Sequence, residues 1–247
     1  MVIITQEKLR EIERKLSSLL SPYGFECHPF KIGWYNEQVS KSFLLPYSDD
    51  TVAFIIISTP SMFEKAFIPY LASADCIRMK QDPIDQCMMH YFAAIKAEYA
   101  DLEIETIHDF QTTPSKRPRV LVQTAGHVSG AVRYYQRKDL LNDPWCSERK
   151  IFGVCLHPEF GGWFALRGVA IFTSINCPDL QRKSPREILT TENEVAELLQ
   201  RYNDHWEDWS FRDIIVPKDR YSKDQREYFA TKPADRLPLI KKLVASN

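Results

Sequence analysis

The residues with the most chemical potential in this sequence gather between Arg119 and Phe172. Cys155-Leu156-His157 sets a thiol two residues from an imidazole. In a strand such neighbours share a face, and a thiol beside a base is the minimum for nucleophilic catalysis; plain structural roles are the alternative. His127 stands between Gly126 and Val128, in a small-residue turn after an apolar run. An imidazole there could meet a ligand, or be a satisfied core histidine. Cys87 and His90 share a helical face, but no further ligand lies nearby, so no metal site is indicated. His205-Trp206-Glu207-Asp208-Trp209 is aromatic and acidic, with Trp206 and Trp209 spaced to pack on one face. GxSxG, HExxH, P-loop and GxGxxG patterns are all missing.

Positioning these groups falls to a glycine-marked stretch. Six of the eight glycines lie between Gly126 and Gly168, where backbone must turn or approach something closely. An apolar run, Arg119–Thr124, reads as a strand and Ala125–Leu141 as a helix. Ile151–Leu156 and Phe164–Phe172 read as strands joined through His157–Gly162. Such a stretch suits a large flat ligand lying against backbone, or an ordinary core hairpin and helix. Upstream, Leu9, Ile12, Leu16, Leu19 and Leu20 mark one helix face. Phe25–Tyr35 is aromatic and irregular. Thr51–Ser58 (TVAFIIIS) is a β-branched run suited to a strand buried on both faces. Thr59-Pro60 and Asp82-Pro83 each open a helix, over Ser61–Leu71 and to about Ala97. Leu102–His108 can be a strand. Thr191–Glu194 and Ser222–Gln225 are helix-opening caps, and Pro233–Leu243 is a last helix. Mixed strands and helices without a linker or repeat imply one α+β or α/β domain over 1–247.

Net charge is -1, which argues against a dedicated nucleic-acid binder. No apolar run is long enough to span a bilayer, and the amino terminus lacks a signal core. Cysteines 27, 76, 87, 146, 155 and 177 form no CxxC pair, so reduced thiols in the cytoplasm are expected. Thr113–Pro118 (TPSKRP) is a basic, proline-bounded loop, either a solvated turn or a contact for a partner or second copy.

Longer motifs narrow the choice. QTAGHVSGA, YYQR, GVCLHPEFGGWFALRGV and HWEDWSFRD, with PYGFECHPFKIGWYNE, STPSMFEKAF and DPIDQC, resemble the CblC (MMACHC-type) family of vitamin B12 processing proteins over nearly the whole chain. The resemblance implies a nitroreductase-like, flavin-reductase-related α+β sandwich, mainly antiparallel sheet with flanking helices. It implies binding of cobalamin with its benzimidazole tail off cobalt, then removal of the upper ligand. Cyanide leaves by reduction and alkyl groups by transfer to glutathione. Positions matching the cobalamin contacts are Asp109, Val120, Leu121, Val122, Gln123, His127, Tyr134, Tyr135, Gln136, Phe152, Gly153, Val154, Cys155, Leu166 and Tyr221. Those matching the glutathione contacts are Arg167, Arg212 and Arg236. Arg133 departs from the family pattern, where an aromatic residue can stand.

In this reading no side chain is a catalytic nucleophile and the protein binds no metal of its own, since cobalt arrives in the corrin. FMN or FAD for decyanation, a homodimer, a separate reductase and a downstream cobalamin-trafficking protein are the further partners. Two rival functions stay open: a chaperone that hands cobalamin on, and a flavin-dependent reductase.

Overall fold

The computed structural model describes residues 1–73 and 82–245; Cys76 lies outside them. A five-stranded sheet forms its centre. It is built from β1 (Val2–Ile3), β2 (Phe25–Lys31), β3 (Thr51–Ser58), β4 (Ile104–His108) and β7 (Ala165–Asn176). β7 pairs antiparallel with β3 on one side and β4 on the other, and β2 closes the β3 edge. Only the short β1 is parallel to its neighbour. The mixed, mostly antiparallel expectation holds. All eight residues of β3 are buried, because both sheet faces are covered. Val52, Phe54 and Ile56 join one core; Ala53, Ile55 and Ile57 join the other, the period of two that a strand imposes.

The first core takes the apolar stripes of α1 (Gln6–Leu20), α4 (Pro83–Glu98) and α8 (Leu237–Ala245). Between α1 and α4 lie α2 (Ile32–Asn36) and α3 (Ile68–Ser73). The second core takes α2 and α5 (Val122–Val128). Beyond it, a two-stranded sheet of β5 (Arg133–Tyr135) and β6 (Val154–Leu156) packs on α6 (Glu192–His205). α7 (Lys223–Ala230) follows, opened by the Ser222 cap.

The glycine-marked stretch differs from the sequence reading. Arg119–Thr124 is not a strand and Ala125–Leu141 is not one helix. Val120 is 2% exposed within the second core, and the Leu121 N–H donates to Tyr35 Oη at 3.0 Å, so this extended backbone bonds a side chain and not a strand partner before α5 begins at Val122. Helix α5 stops at Val128 because Gly130, at φ 79°, reverses the backbone. Tyr134 and Tyr135 then pair with Cys155 and Val154, in keeping with the strand preference of aromatic residues. The strand expected over Ile151–Leu156 shrinks to its last three residues. The helix expected over Ser61–Leu71 begins as a π-helical turn, Phe63–Phe67, and becomes α-helical at Ile68. The last helix begins at Leu237 rather than Pro233.

At the end of β4, His108 is 4% exposed. Its ring lies against Phe92 at 4.4 Å and stacks on Phe110 at 5.0 Å, and Nδ1 has no partner. Burial, with help from Lys96, pushes its pKa down from 6.5 to about 4. The unfolded chain therefore binds this proton first as pH falls, and stability is lost from about pH 6.5 downward. Between pH 7 and 5 that loss is about 2 kcal/mol. Asp85, raised to about 6, acts in the opposite sense, so the informative comparison is against His108→Phe. Urea titrations should show the wild type losing about 2 kcal/mol more than the variant over that interval; equal losses refute the assignment.

Candidate functional site

A cavity of about 380 Å³ opens beside α5, lined by Gln38, Thr124, His127, Arg133, Tyr134, Gln136, Lys138, Asp139, Ser184, Pro185 and Glu187. His127 sits in the last turn of α5, where its Nδ1 accepts the Tyr134 N–H at 3.4 Å. Burial, then Arg133 and Arg182, hold its pKa below the ordinary value. The ring is thus neutral at pH 7, and with Nδ1 accepting, Nε2 carries the proton and is a donor. Arg133 binds both carboxylate oxygens of Glu187, at 2.9 and 3.1 Å, and the Tyr134 carbonyl at 2.8 Å. Its guanidinium lies 4.8 Å from the Tyr135 ring centre. Tyr135 is 1% exposed, and its hydroxyl accepts the N–H groups of Ile188 and Leu189 at 2.9 and 2.7 Å. The segment 184–189 is strapped across the cavity by these two side chains. Arg133 is its anchor.

Other candidate residues surround this cavity unevenly. Leu166 packs on Gly126, where an added Cβ would lie 3.0 Å from Leu166 Cδ2. At Gly153 a Cβ would sit 2.6 Å from the Tyr134 ring and 2.7 Å from the Tyr135 carbonyl, so only glycine fits. Val122 and Gln123 open α5, and Gln136 caps the turn Arg137–Asp139. Phe152 is 55% exposed, its backbone clasped by Asn203 at 2.9 and 3.0 Å. It edges a second cavity of about 510 Å³ with Arg149, Lys150, Tyr202 and Trp206. Val120 and Tyr135 are committed to the protein core.

Cys155 and His157 are not a catalytic pair. The Cys155 thiol faces the Gln123 carbonyl at 3.9 Å, and burial raises its pKa far above the ordinary range. His157 accepts the N–H groups of Glu159 and Phe160 on Nδ1 and points Nε2 at Glu26, 3.1 Å away. Glu26 also meets His28 at 3.0 Å. Burial would raise this carboxyl, but the bonds from His157 and His28 outweigh it and hold the pKa at about 2. The cluster clips the His157–Gly162 turn to the β2 edge. Nor do Trp206 and Trp209 share a face. Trp209 adopts φ 62° and packs on Trp163 at 5.8 Å, while Trp206 is 57% exposed.

The three arginines form a pair and an outlier. Residue numbers pair Ile56 with Gly168 and Ile57 with Leu166, so Arg167 is the unpaired residue of a β-bulge, a device that re-aims a side chain. It is 8% exposed, and its Nε donates to Ser58 Oγ at 2.8 Å. Arg236 binds Asp82 at 2.7 Å and lies 4.5 Å over Tyr228. Both act electrostatically on Asp85. The Asp109 N–H donates to the Arg167 carbonyl at 3.2 Å, and burial raises the Asp109 carboxyl against the pull of Arg167. Arg212 instead donates to the Gly162 carbonyl inside a nest of Trp163, Trp209, Phe211 and Tyr221, 5.1 to 5.6 Å from each ring. No bond joins it to the other two among the described residues. An aromatic file does: Tyr221 meets Phe229 at 5.7 Å, and Phe229 meets Tyr228 at 5.5 Å.

Comparison with known proteins decides what this arrangement belongs to. Residues 24–240 match the MMACHC, or methylmalonic aciduria and homocystinuria type C, family. The chain belongs to this family. A Gallus gallus relative named cyanocobalamin reductase / alkylcobalamin dealkylase is 47% identical over 93% of this chain and 95% of its own length. The Homo sapiens protein of that name is 44% identical over 95% of this chain and 83% of its own. The crystal structure of a Caenorhabditis elegans B12-trafficking protein CblC superposes with TM-score 0.86 and 35% identity, covering 97% of this chain and 98% of that one. Membership explains the motif matches, but several site features escaped the sequence. Asp82 announced itself as a helix cap, which also accounts for a nearby Asp85. The strap at 184–189 lies in a polar loop with no signal until Arg133 and Tyr135 are seen to hold it.

Proposed function

We propose that this chain removes the upper axial ligand of cobalamin, as a cyanocobalamin reductase and alkylcobalamin dealkylase. The observation that carries this is end-to-end similarity to relatives bearing those names, 47% and 44% identical over 93% and 95% of the chain. The His127 cavity supports it. It offers an imidazole donor, amide groups from Gln38 and Gln136, and the exposed Lys138. In our reading it takes the detached nucleotide tail, and the corrin lies over Tyr134, Gly153 and the Phe152 edge. Cobalamin held with its tail off cobalt has a weaker axial donor, which makes Co(I) a better leaving species. For dealkylation, the glutathione thiolate attacks the alkyl carbon, the carbon–cobalt pair goes to cobalt, and a thioether leaves. The chain's own residues bind and orient. Arg167 and Arg236 grip carboxylates of glutathione, and Arg212 stiffens the aromatic wall next to them. FMN or FAD bound during decyanation, a nitroreductase-like ancestry of the sheet, a single-domain organisation and a cytoplasmic setting complete the reading. So does a homodimer or reductase contact through Thr113–Pro118. Among the described residues no helix is long and apolar enough to cross a membrane.

The decisive experiment mixes purified protein with methylcobalamin and glutathione. Spectral conversion with S-methylglutathione formed is expected. Tight binding without turnover would favour a chaperone, and NADPH oxidation by a yellow protein without cobalamin would favour a flavin reductase.

Two variants refine it. His127→Ala should weaken cobalamin binding about 10- to 100-fold, since a buried partner losing its donor costs about 1–3 kcal/mol; unchanged affinity refutes the contact. Cys155→Ser should keep glutathione-dependent dealkylation, because its thiol is held protonated by burial and external glutathione supplies the nucleophile. An inactive variant that still binds both ligands would overturn that.

A further inference from the structure

Four charged side chains line the His127 cavity: Arg133, Lys138, Asp139 and Glu187. Three of them are spent on one another. Arg133 holds both carboxylate oxygens of Glu187, at 2.9 and 3.1 Å, and reaches Asp139 Oδ1 at 3.4 Å. Asp139 Oδ2 also accepts the Gln136 N–H at 2.7 Å. Lys138 is the exception. It is exposed, and its ammonium makes no hydrogen bond or ion pair with a described residue. Its backbone is nevertheless fixed, because the turn Arg137–Asp139 is closed by a capping box with Gln136. The uncommitted groups beside it are donors too. His127 is neutral and donates from Nε2, and Ser184 adds a hydroxyl from the facing strap. A wall whose carboxylates are turned to a guanidinium, and whose free groups are an ammonium and neutral donors, is built for an anion.

Cobalamin presents one such group. Its peripheral side chains are neutral amides, and the phosphodiester of the nucleotide tail is its single outlying anion. We infer that Lys138 receives the tail phosphodiester of cobalamin, with His127 Nε2 as the donor beside it. This rests on the reading that the detached tail enters the His127 cavity, and deepens it by naming the charge that the cavity recognises. An ammonium suits this task as a point charge that needs no fixed fork. Arg133 is not free for it, since Glu187, Asp139 and the Tyr134 carbonyl already occupy its guanidinium, which lies against the Tyr135 ring. Its part is to neutralise Glu187, a carboxylate that would otherwise repel the phosphodiester from the same wall.

The test compares cobalamin with cobinamide, the same corrin without the nucleotide tail, by spectroscopic titration of the purified protein at low salt. Lys138→Gln should weaken cobalamin binding by about 5- to 10-fold, between the effect of an exposed ion pair and that of a buried charged hydrogen bond. Cobinamide should change by less than about twofold, Lys138→Arg should restore most of the cobalamin affinity, and added salt should narrow the gap between wild type and Lys138→Gln. Unchanged cobalamin affinity in Lys138→Gln, or an equal loss for both corrinoids, overturns the assignment. So does a Lys138→Gln protein that loses affinity for FMN and keeps it for cobalamin, which would hand the cavity to the phosphate of a free ester. A wild type that binds cobalamin with the benzimidazole still on cobalt overturns the tail reading and this inference together, and its spectrum shows that without any variant.

Discussion

Replacing Gly168 with alanine is expected to remove about 3–5 kcal/mol of stability, a large loss for a single methyl group. Gly168 adopts φ 139°, a conformation side chains rarely enter. A Cβ there would lie 2.3 Å from the Ile107 carbonyl oxygen and 2.8 Å from the His108 Cα. Both obstacles are backbone of β4, which is hydrogen-bonded to β7 along its length, so neither can swing aside as a side chain could. The methyl group must push β4 off β7 or force residue 168 into another conformation, and either one breaks the ladder beside Arg167. Against a total stability of about 5–15 kcal/mol, the variant should unfold at clearly lower denaturant. Equilibrium urea unfolding measures it. A loss under about 1 kcal/mol would mean that the sheet yields more easily than its geometry allows.

The second large effect is expected for Arg167→Gln. Arg167 is buried, held by Ser58 and without a carboxylate at bonding distance among the described residues. Its loss therefore strands no internal anion in a salt bridge. Arg236→Gln is a less clean probe, because Asp82 loses its 2.7 Å partner in a part-buried pair, and uncoupling such a pair is itself destabilising. For Arg167→Gln, the glutathione KM should rise by about 30-fold or more, from an expected cost of about 2–5 kcal/mol for a desolvated charged contact. Cobalamin affinity should change by less than about threefold, a smaller effect than that of His127→Ala. Dealkylation rate against glutathione concentration, with cobalamin binding measured separately, decides it. Wild-type glutathione dependence in this variant would remove Arg167 from the site.

The regular parts of the fold were readable because their signals are local. The run TVAFIIIS states a strand covered on both faces, and the caps at Asp82, Thr191 and Ser222 bond as their spacing implied. The stretch 119–141 was misread for a physical reason. Its apolar run is buried by the second core and not by strand pairing, and two tyrosines that fit a helix by continuity find partners in residues 154 and 155. The candidate residues came from family motifs, which carry positions but no directions. That Tyr135 holds a strap, that Val120 belongs to the core, and that Arg212 is caged by rings all depend on contacts between distant segments. The dissolved Cys155–His157 pair shows the same limit, because Glu26, 131 residues away, takes the imidazole.

The bulge in β7 bears on how this protein tolerates length changes. Taking out residue 167 would put Leu166 and Gly168 back into an uninterrupted alternation against β3, and a sheet without the interruption is the easier one to fold. A chain shortened by Arg167 should keep its sheet, yet lack the guanidinium that the bulge presents. Most one-residue deletions in a central strand abolish the fold and the activity together. Here the two should separate, so selection for stability alone could remove the bulge and its guanidinium by a single in-frame loss of three nucleotides.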